Sequence, residues 1–244
     1  MRKLISLSVA MVLSGPAQAL DISDDDLKEK GLAAEVEGGL TLSTGNSETT
    51  NLRGRLAVDY FLEDWRHYTL VEGNSSQDDD KTSAERYFAG YKVDRDWSDV
   101  NYTYAGLSYE NDRFNGFEDL VTVSAGYGHR FKFGDNMNLD TEIGPGYRWN
   151  NAGEGTDEWI LRGSMKYLWE ISDNSKFTEN VSVNAGDENT ISRSETSLTT
   201  TIIGELALKL SFTMTHQTNP EFNGDGTRKD KLDTTTAVTL LYRY

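Results

Sequence analysis

Residues 231–244 alternate between apolar and polar positions. Positions of one parity carry leucine, valine and two tyrosines, whereas positions of the other carry aspartate, threonine and arginine. Successive side chains of a β-strand point to opposite faces, so this segment predicts a strand with one apolar and one polar face. A transmembrane barrel needs such strands, because its outside meets lipid and its inside meets water. An edge strand of a soluble sandwich has the same pattern, so the assignment depends on repetition along the chain.

The same alternation recurs upstream. It is clear in residues 52–62, 121–131, 137–149, 159–171 and 206–214. It is weaker in residues 66–77, 101–112, 176–185 and 191–203, where strands are inferred from the spacing of the turns. The repetition favours an all-β chain.

Two kinds of connection alternate between these segments. The short ones are residues 63–65, 96–99, 134–136, 172–175 and 204–205. The longer, polar ones are residues 44–49, 78–85, 113–119, 151–156, 186–190 and 220–230. Outer-membrane barrels have short periplasmic turns and longer outer loops. The order therefore predicts an antiparallel up-and-down transmembrane β-barrel of about twelve strands, with both ends of the chain in the periplasm.

Aromatic residues provide an independent indication. In the predicted barrel, Trp149 and Trp159 lie near the loop rim. The residues predicted near the opposite rim are Trp169, Phe131, Phe177, Tyr242 and Tyr244. Two aromatic girdles are typical of the two lipid–water interfaces of a membrane barrel, and a soluble sandwich has no reason to form them.

The beginning of the chain has the features of a secretory signal. Arg2 and Lys3 precede an apolar stretch at 4–13, and residues 17–19 form an A-x-A motif. We therefore predict a cleaved signal peptide at 1–19, a short periplasmic segment at 20–32 and an outer-membrane barrel domain at 33–244. The apolar stretch is too short for a membrane-spanning helix, and no other stretch is long and apolar enough to form one.

Composition excludes several classes of function. The chain has no cysteine, which removes disulfides, thiol catalysis and cysteine–metal sites. Its formal net charge is -16, which argues against binding nucleic acid through a basic face.

One family resembles this chain at specific positions. The segment 39–47 reads GLTLSTGNS and precedes a strand containing Arg53, and residues 233–236 read DTTT before Leu240 and Tyr242. These features resemble the family of salt-induced outer-membrane proteins, known as domain of unknown function 481. The resemblance implies an outer-membrane barrel of a Gram-negative envelope and suggests a link to salt or osmotic stress. It implies no catalytic or ligand-binding residues.

Charged residues of both signs collect on the inward parity of the predicted strands. They are Arg53, Arg55, Asp59, Lys92, Asp94, Asp140, Glu142, Arg148, Arg162, Lys166, Glu170, Lys209, Asp233 and Arg243. All but Lys92, Asp94 and Arg243 are taken as candidate lumen-lining residues. They predict either a narrow passive channel whose charged wall selects ions or small solutes, or a lumen closed by paired charges. We favour the narrow channel.

The predicted outer loops are acidic. They include residues 78–80, Glu110 with Asp112, residues 118–119, Glu154 with Asp157, and residues 187–188. In the alternative interpretation, a structural envelope barrel with a plugged lumen binds cations or lipopolysaccharide through these loops. A solvated surface without a ligand would have the same composition. No specific metal site and no cofactor are expected.

Other partners follow from the predicted location. We expect contacts with outer-membrane lipids and lipopolysaccharide, and recognition of the C-terminal strand ending at Tyr244 by the barrel-assembly machinery. The barrel is expected to be a monomer. His129 and His216 fall on the apolar parity, where a lipid-facing catalytic site could lie. An enzyme is disfavoured, because the sequence has no catalytic motif and because His216 and its neighbour Thr215 point to opposite faces and cannot pair.

Overall fold

A computed structural model describes residues 31–43, 49–78, 81–112, 117–150, 157–220 and 228–244. Within them lie twelve strands. They are β1 (Leu32–Ser43), β2 (Thr49–Leu62), β3 (Trp65–Asp78), β4 (Lys81–Asp96), β5 (Asn101–Asp112), β6 (Phe117–Lys132), β7 (Met137–Asn150), β8 (Glu158–Ser172), β9 (Ser175–Gly186), β10 (Thr190–Ile203), β11 (Leu206–Gln217) and β12 (Leu232–Arg243). The described residues contain no helix that is both long and apolar enough to cross a membrane.

The strands form one closed antiparallel barrel in which each strand pairs with its neighbours in sequence and β12 returns to β1. The predicted fold is confirmed. The seam between β1 and β12 is shorter than the other ladders: its register runs from Glu35 opposite Arg243 to Gly38 opposite Leu240. Two backbone hydrogen bonds between Ala34 and Tyr244, of 3.0 and 2.8 Å, extend it by one pair.

The two ends of the barrel differ in their connections. We call the end with residues 63–64, 97–100, 133–136, 173–174 and 204–205 the turn end, and the other the loop end. At the loop end, the prediction that residues 78–85 form a loop is wrong. There β3 continues to Asp78 and β4 begins at Lys81, with these two residues paired. The sequence is polar but still forms a ladder, because backbone pairing does not require apolar side chains.

Several predicted segments lie outside the described residues. They are the signal peptide at 1–19, most of the segment at 20–32, and all or part of five predicted loops, at 44–48, 79–80, 113–116, 151–156 and 221–227. The first strand begins at Leu32, one residue before the predicted start of the barrel domain.

The outer face of the barrel is apolar. On β11 and β12 the large side chains of one parity are exposed, with Leu210 at 47 % and Val238 at 60 %. The opposite parity of the same strands carries buried polar residues, such as Lys209 and Thr213. Because the exposed parity would be unfavourable in water and every strand pairs with a neighbour on each side, this arrangement suits a barrel that spans a bilayer.

Inside, the barrel has a small apolar core. Tyr68, Leu70 and Phe88 pack with Ala33 and Ala57 on the inward faces of β1 to β4. Their burial places them inside the barrel, since the other side of each strand faces outward. These side chains therefore occupy the part of the lumen next to β1 to β4.

A charge placed in the middle of the outer face tests the membrane-facing assignment. We expect Leu210→Arg, near the middle of β11, to lower the free energy of unfolding in lipid vesicles by about 2–4 kcal/mol, because an arginine at the bilayer midplane is costly. Leu232→Arg is the control. Leu232 is similarly exposed, at 49 %, but begins β12 at the rim. There the cost should be about 0–1 kcal/mol. Equal losses in guanidinium titrations of the two variants would contradict the assignment.

Candidate functional site

The candidate site is the charged lumen. The structure places every candidate lumen-lining residue on the inward parity, together with the buried residues of the same strands. Their surroundings differ. Arg53, Arg55 and Lys209 join one extended set of ion pairs, Glu142 belongs to a second cluster, and Arg148 and Arg162 line a cavity.

The extended set, here called the lumen network, consists of Glu37, Arg53, Arg55, Glu72, Arg86, Glu110, Arg193, Glu195 and Lys209. Its first part surrounds Glu37 on β1. The Glu37 carboxylate lies 3.8 Å from Arg53 Nε, 3.7 Å from Arg55 Nη1 and 3.6 Å from Lys209 Nζ. It also accepts a 2.7 Å hydrogen bond from the hydroxyl of Thr239. Lys209 continues to Glu195 on β10, at 3.0 Å.

The second part of the lumen network runs across the barrel. Arg55 contacts Glu72 at 3.5 Å, and Glu72 contacts Arg86 at 3.3 Å. Arg86 Nε donates to Glu110 at 2.9 Å. Glu110 then accepts hydrogen bonds of 2.9 and 3.1 Å from Arg193 on β10, five strands away around the barrel.

These contacts close the lumen at this level. Arg193 reaches Glu110, and Arg55 reaches Glu195 at 3.8 Å, so β10 is tied to both β2 and β5. No side chain of the lumen network is more than 9 % exposed. A continuous path of water past these residues is therefore absent in this conformation.

A second cluster lies nearer the turn end. Lys92 Nζ contacts Asp94 at 3.0 Å and reaches Glu142, three strands away, at 2.5 Å. Glu142 also accepts hydrogen bonds from Tyr102, at 3.1 Å, and from Ser164, at 2.9 Å. The Tyr102 ring packs over Gly128, whose missing side chain leaves room for it. This cluster fills the lumen between β4 and β8.

Five candidate residues lie apart from these clusters. Asp59 forms a bidentate pair with Arg66, with distances of 2.9 and 2.8 Å. Asp140 and Lys166 are cross-strand neighbours in the turn half. Glu170 pairs with Lys176 at 2.7 Å near the rim of the turn end. A fifth candidate, Asp233, lies at the opposite end of the barrel, at the start of β12. The candidates therefore do not form one compact site.

A cavity opens beside the lumen network, against the inward face of β4 to β10. Its polar lining includes Lys92, Tyr104, Ser108, Glu110, Thr122, Ser124, Arg148, Arg162, Asn184 and Arg193. Phe88, Leu120 and Ile191 add apolar surface. The empty space among these side chains, counted out to where it opens to solvent, is about 650 Å³, and the centre of a water molecule can occupy about 40 Å³ of it. The lumen therefore holds a small cavity beside the lumen network.

Sequence reasoning missed many inward charges. They are Glu35, Glu37, Arg66, Glu72, Arg86, Asp96, Glu110, Asp112, Arg130, Lys132, Glu158, Lys176, Arg193 and Glu195. The assignment of Glu110 and Asp112 to an acidic outer loop is wrong, because both lie on the inward face of β5 and are 3 % and 2 % exposed. Starting at each short turn and assigning alternate residues to the inner and outer faces would have identified most of this set.

The histidines and acidic groups suggest no other chemistry. His129 faces outward and its Nδ1 lies 2.7 Å from the side-chain oxygen of Asn101. His216 is exposed on β11. Across the part of the chain that the structure describes, no group of three or more histidine, aspartate or glutamate side chains could hold a metal ion.

Comparison with known proteins places the chain in a family. The family described as "Protein of unknown function, DUF481" matches residues 36–244. The chain belongs to this family. It is 27 % identical over 215 residues to the Uncharacterized protein YdiY of Escherichia coli (strain K12). The matched region covers 87 % of this chain and 81 % of that protein.

Solved barrels are similar to it in fold. The translocator domain of the autotransporter NalP from Neisseria meningitidis has a TM-score of 0.50 and 10 % identity, covering 90 % of this chain and 93 % of the domain. An outer-membrane channel from Pseudomonas putida F1 has a TM-score of 0.49 and 9 % identity, covering 87 % and 93 %. The likeness to the translocator domain shows a common barrel fold.

Removing one partner of a buried pair should be far costlier than removing one at the rim. Asp59 and Arg66 are 0 % and 3 % exposed. We expect Arg66→Met to destabilise the barrel by about 3–5 kcal/mol, because the Asp59 carboxylate loses its bidentate partner in a buried site. The control Lys176→Met removes a pair whose members are 20 % and 30 % exposed. It should cost at most about 1 kcal/mol. Urea or guanidinium unfolding in detergent measures both, and similar losses would refute the burial argument.

Proposed function

We propose that the protein is an outer-membrane barrel that provides a narrow passage for ions or small solutes and is closed at rest by the lumen network. The observation that carries this proposal is the chain of ion pairs across the lumen, from Arg55 to Glu195 and from Arg193 to Glu110. The contacts join opposite walls through side chains alone, so moving a few side chains would open a path without breaking any backbone ladder.

The chemistry of the closure supports a passage. A buried ion pair is a weak source of stability, since its desolvation cost offsets much of its attraction, and apolar residues of similar volume often stabilise as well. A barrel that needed only a permanent plug could extend the apolar core around Tyr68 and Leu70. The lumen network instead places charges of both signs where a solute would cross. Such groups can exchange partners with passing ions.

The setting of this passage forms part of the proposal. We place the barrel in the outer membrane of a Gram-negative envelope, reached through a signal peptide at 1–19. There it contacts lipids and lipopolysaccharide as a monomer, after the barrel-assembly machinery has recognised the strand that ends at Tyr244. Solute movement through such a barrel would also explain a role in salt or osmotic stress, since passive flux of ions responds directly to a salt gradient.

A structural barrel with a plugged lumen is the second candidate. The specific observation in its favour is the extent of filling, because side chains of the lumen network, the Lys92 cluster and the apolar core occupy the lumen at three places around the barrel. In this case the acidic loop end would act as a surface that binds cations. Described acidic residues there include Asp157, Asp187 and Glu188.

Single-channel recording of the refolded barrel under a salt gradient distinguishes the two candidates. We expect the wild-type protein to conduct no current for most of the recording. The double substitution Arg193→Ala with Glu110→Ala should produce steady conductance, because it removes the tightest contact between opposite walls and leaves the net charge unchanged.

The matched control is Glu170→Ala with Lys176→Ala, which removes an ion pair of adjacent strands at the rim. It should remain as quiet as the wild-type protein. All three proteins are checked for folding by heat-dependent mobility in electrophoresis. A folded Arg193→Ala, Glu110→Ala barrel that remains silent would refute the passage and leave the structural barrel. A wild-type barrel that is steadily open would refute closure at rest.

A further inference from the structure

Tyr104 and Arg162 both line the cavity beside the lumen network. Strand register places Tyr104 of β5 opposite Gly126 of β6, and Arg162 of β8 opposite Gly144 of β7. The wall between Tyr104 and Arg162 therefore carries two glycines and no side chain at this level. This stretch of wall is here called the floor.

The two glycines are required by the backbone. A Cβ atom at Gly126 would overlap the carbonyl oxygen of Ile143, and one at Gly144 would overlap that of Ala125. Neither position could carry a larger residue without a shift of the neighbouring strand. The bare floor is therefore a fixed feature of how β6 and β7 pack.

Cationic groups dominate the lining. Among the described residues around the cavity, Lys92, Arg148, Arg162 and Arg193 face the single acid Glu110. Three of the cations already have acidic partners: Lys92 contacts Asp94 and Glu142, Arg148 contacts Glu158, and Arg193 contacts Glu110.

Arg162 is different. Its hydrogen bond is to the neutral side chain of Asn184, at 3.2 Å, and it forms no salt bridge with any acid of the described residues. The nearby carboxylate of Glu142 is engaged by Lys92, Tyr102 and Ser164. Arg162 therefore has guanidinium donors available to a ligand.

Further polar groups around Arg162 are incompletely satisfied by the described residues. The Tyr104 hydroxyl belongs to a residue that is 3 % exposed; it interacts with the side chain of Ser124 but forms no hydrogen bond of standard geometry to the described residues. Nη1 of Arg148, also buried, has no hydrogen-bond partner among them either. Buried polar groups without partners are costly, so their convergence on one cavity indicates a ligand that accepts hydrogen bonds.

We infer that this cavity binds a small organic carboxylate, with its carboxylate group at Arg162 and Tyr104. A guanidinium matches a carboxylate in a bidentate arrangement. Phe88, Leu120 and Ile191 give the cavity an apolar wall, which suits the carbon skeleton of an organic acid better than it suits a bare inorganic ion. Ser108, Thr122 and Ser124 can bond to hydroxyls of the same solute. This inference rests on the proposed passage and names the class of solute that would enter it.

The test is isothermal titration calorimetry of the full barrel in detergent, with benzoate, gluconate and sulfate as probes. We expect saturable binding of at least one carboxylate. Arg162→Gln should weaken it by about tenfold or more, as expected for loss of a charged hydrogen-bond donor. Lys166→Gln is the matched control. It removes the same charge from the same face of β8, four residues away and outside the cavity lining, and it should leave the affinity unchanged.

Each other outcome overturns the inference. Absence of binding by all probes refutes the site, and equal weakening in Arg162→Gln and Lys166→Gln refutes the role of Arg162. Binding of sulfate without either carboxylate refutes the class of ligand. Because calorimetry measures equilibrium binding without a membrane, loss of the site and loss of the passage are separate results: a barrel can conduct without binding, or bind without conducting.

Discussion

Closure of the sheet is the constraint on which the other features depend. In hydrocarbon, every backbone N–H and C=O group must find a partner within the protein, so strands can cross only as a ring without edges. Here β12 returns to β1 through Ala34–Gly38 and Leu240–Tyr244. Once the ring is closed, one parity of every strand is removed from lipid. Only then can charges such as Glu37 and Lys209 be placed at the depth of the membrane.

Within that ring, the charges satisfy one another across the lumen. Charges on adjacent strands, such as Glu170 and Lys176, can pair along the wall of the barrel. The lumen network instead joins strands that are four and five places apart. The network runs across the barrel, and a cavity lies beside it against the inward face of β4 to β10. The same barrel therefore contains a closed contact between walls and a cavity with available donors, and the two are joined through Glu110 and Arg193.

The sequence predicts the barrel, the strand number and the inward parity of strands whose outward positions are apolar. The sequence predicts the facing of side chains less well in strands where both parities have similar polarity. On β9 and β10, Glu179 faces outward and is bonded by the hydroxyls of Ser194 and Thr196, so both parities look polar. On β3, Tyr68 and Leu70 face inward. Partners across the lumen, such as Arg193 with Glu110, depend on the stagger of the whole ring and leave no local pattern in the sequence.

Acidic and basic side chains are about equally numerous on the inward face, although the whole chain has a net charge of -16. Among the described residues, most of the excess negative charge therefore lies near the strand ends and in the connections, as at Asp64, Asp173 and Glu205. Two such barrels side by side in one membrane repel each other through these rims. The range of that repulsion is the Debye length, which shortens from about 10 Å at 0.1 M salt to about 3 Å at 1 M. How closely two such barrels can approach each other in a membrane thus depends on the ionic strength of the solution around their rims.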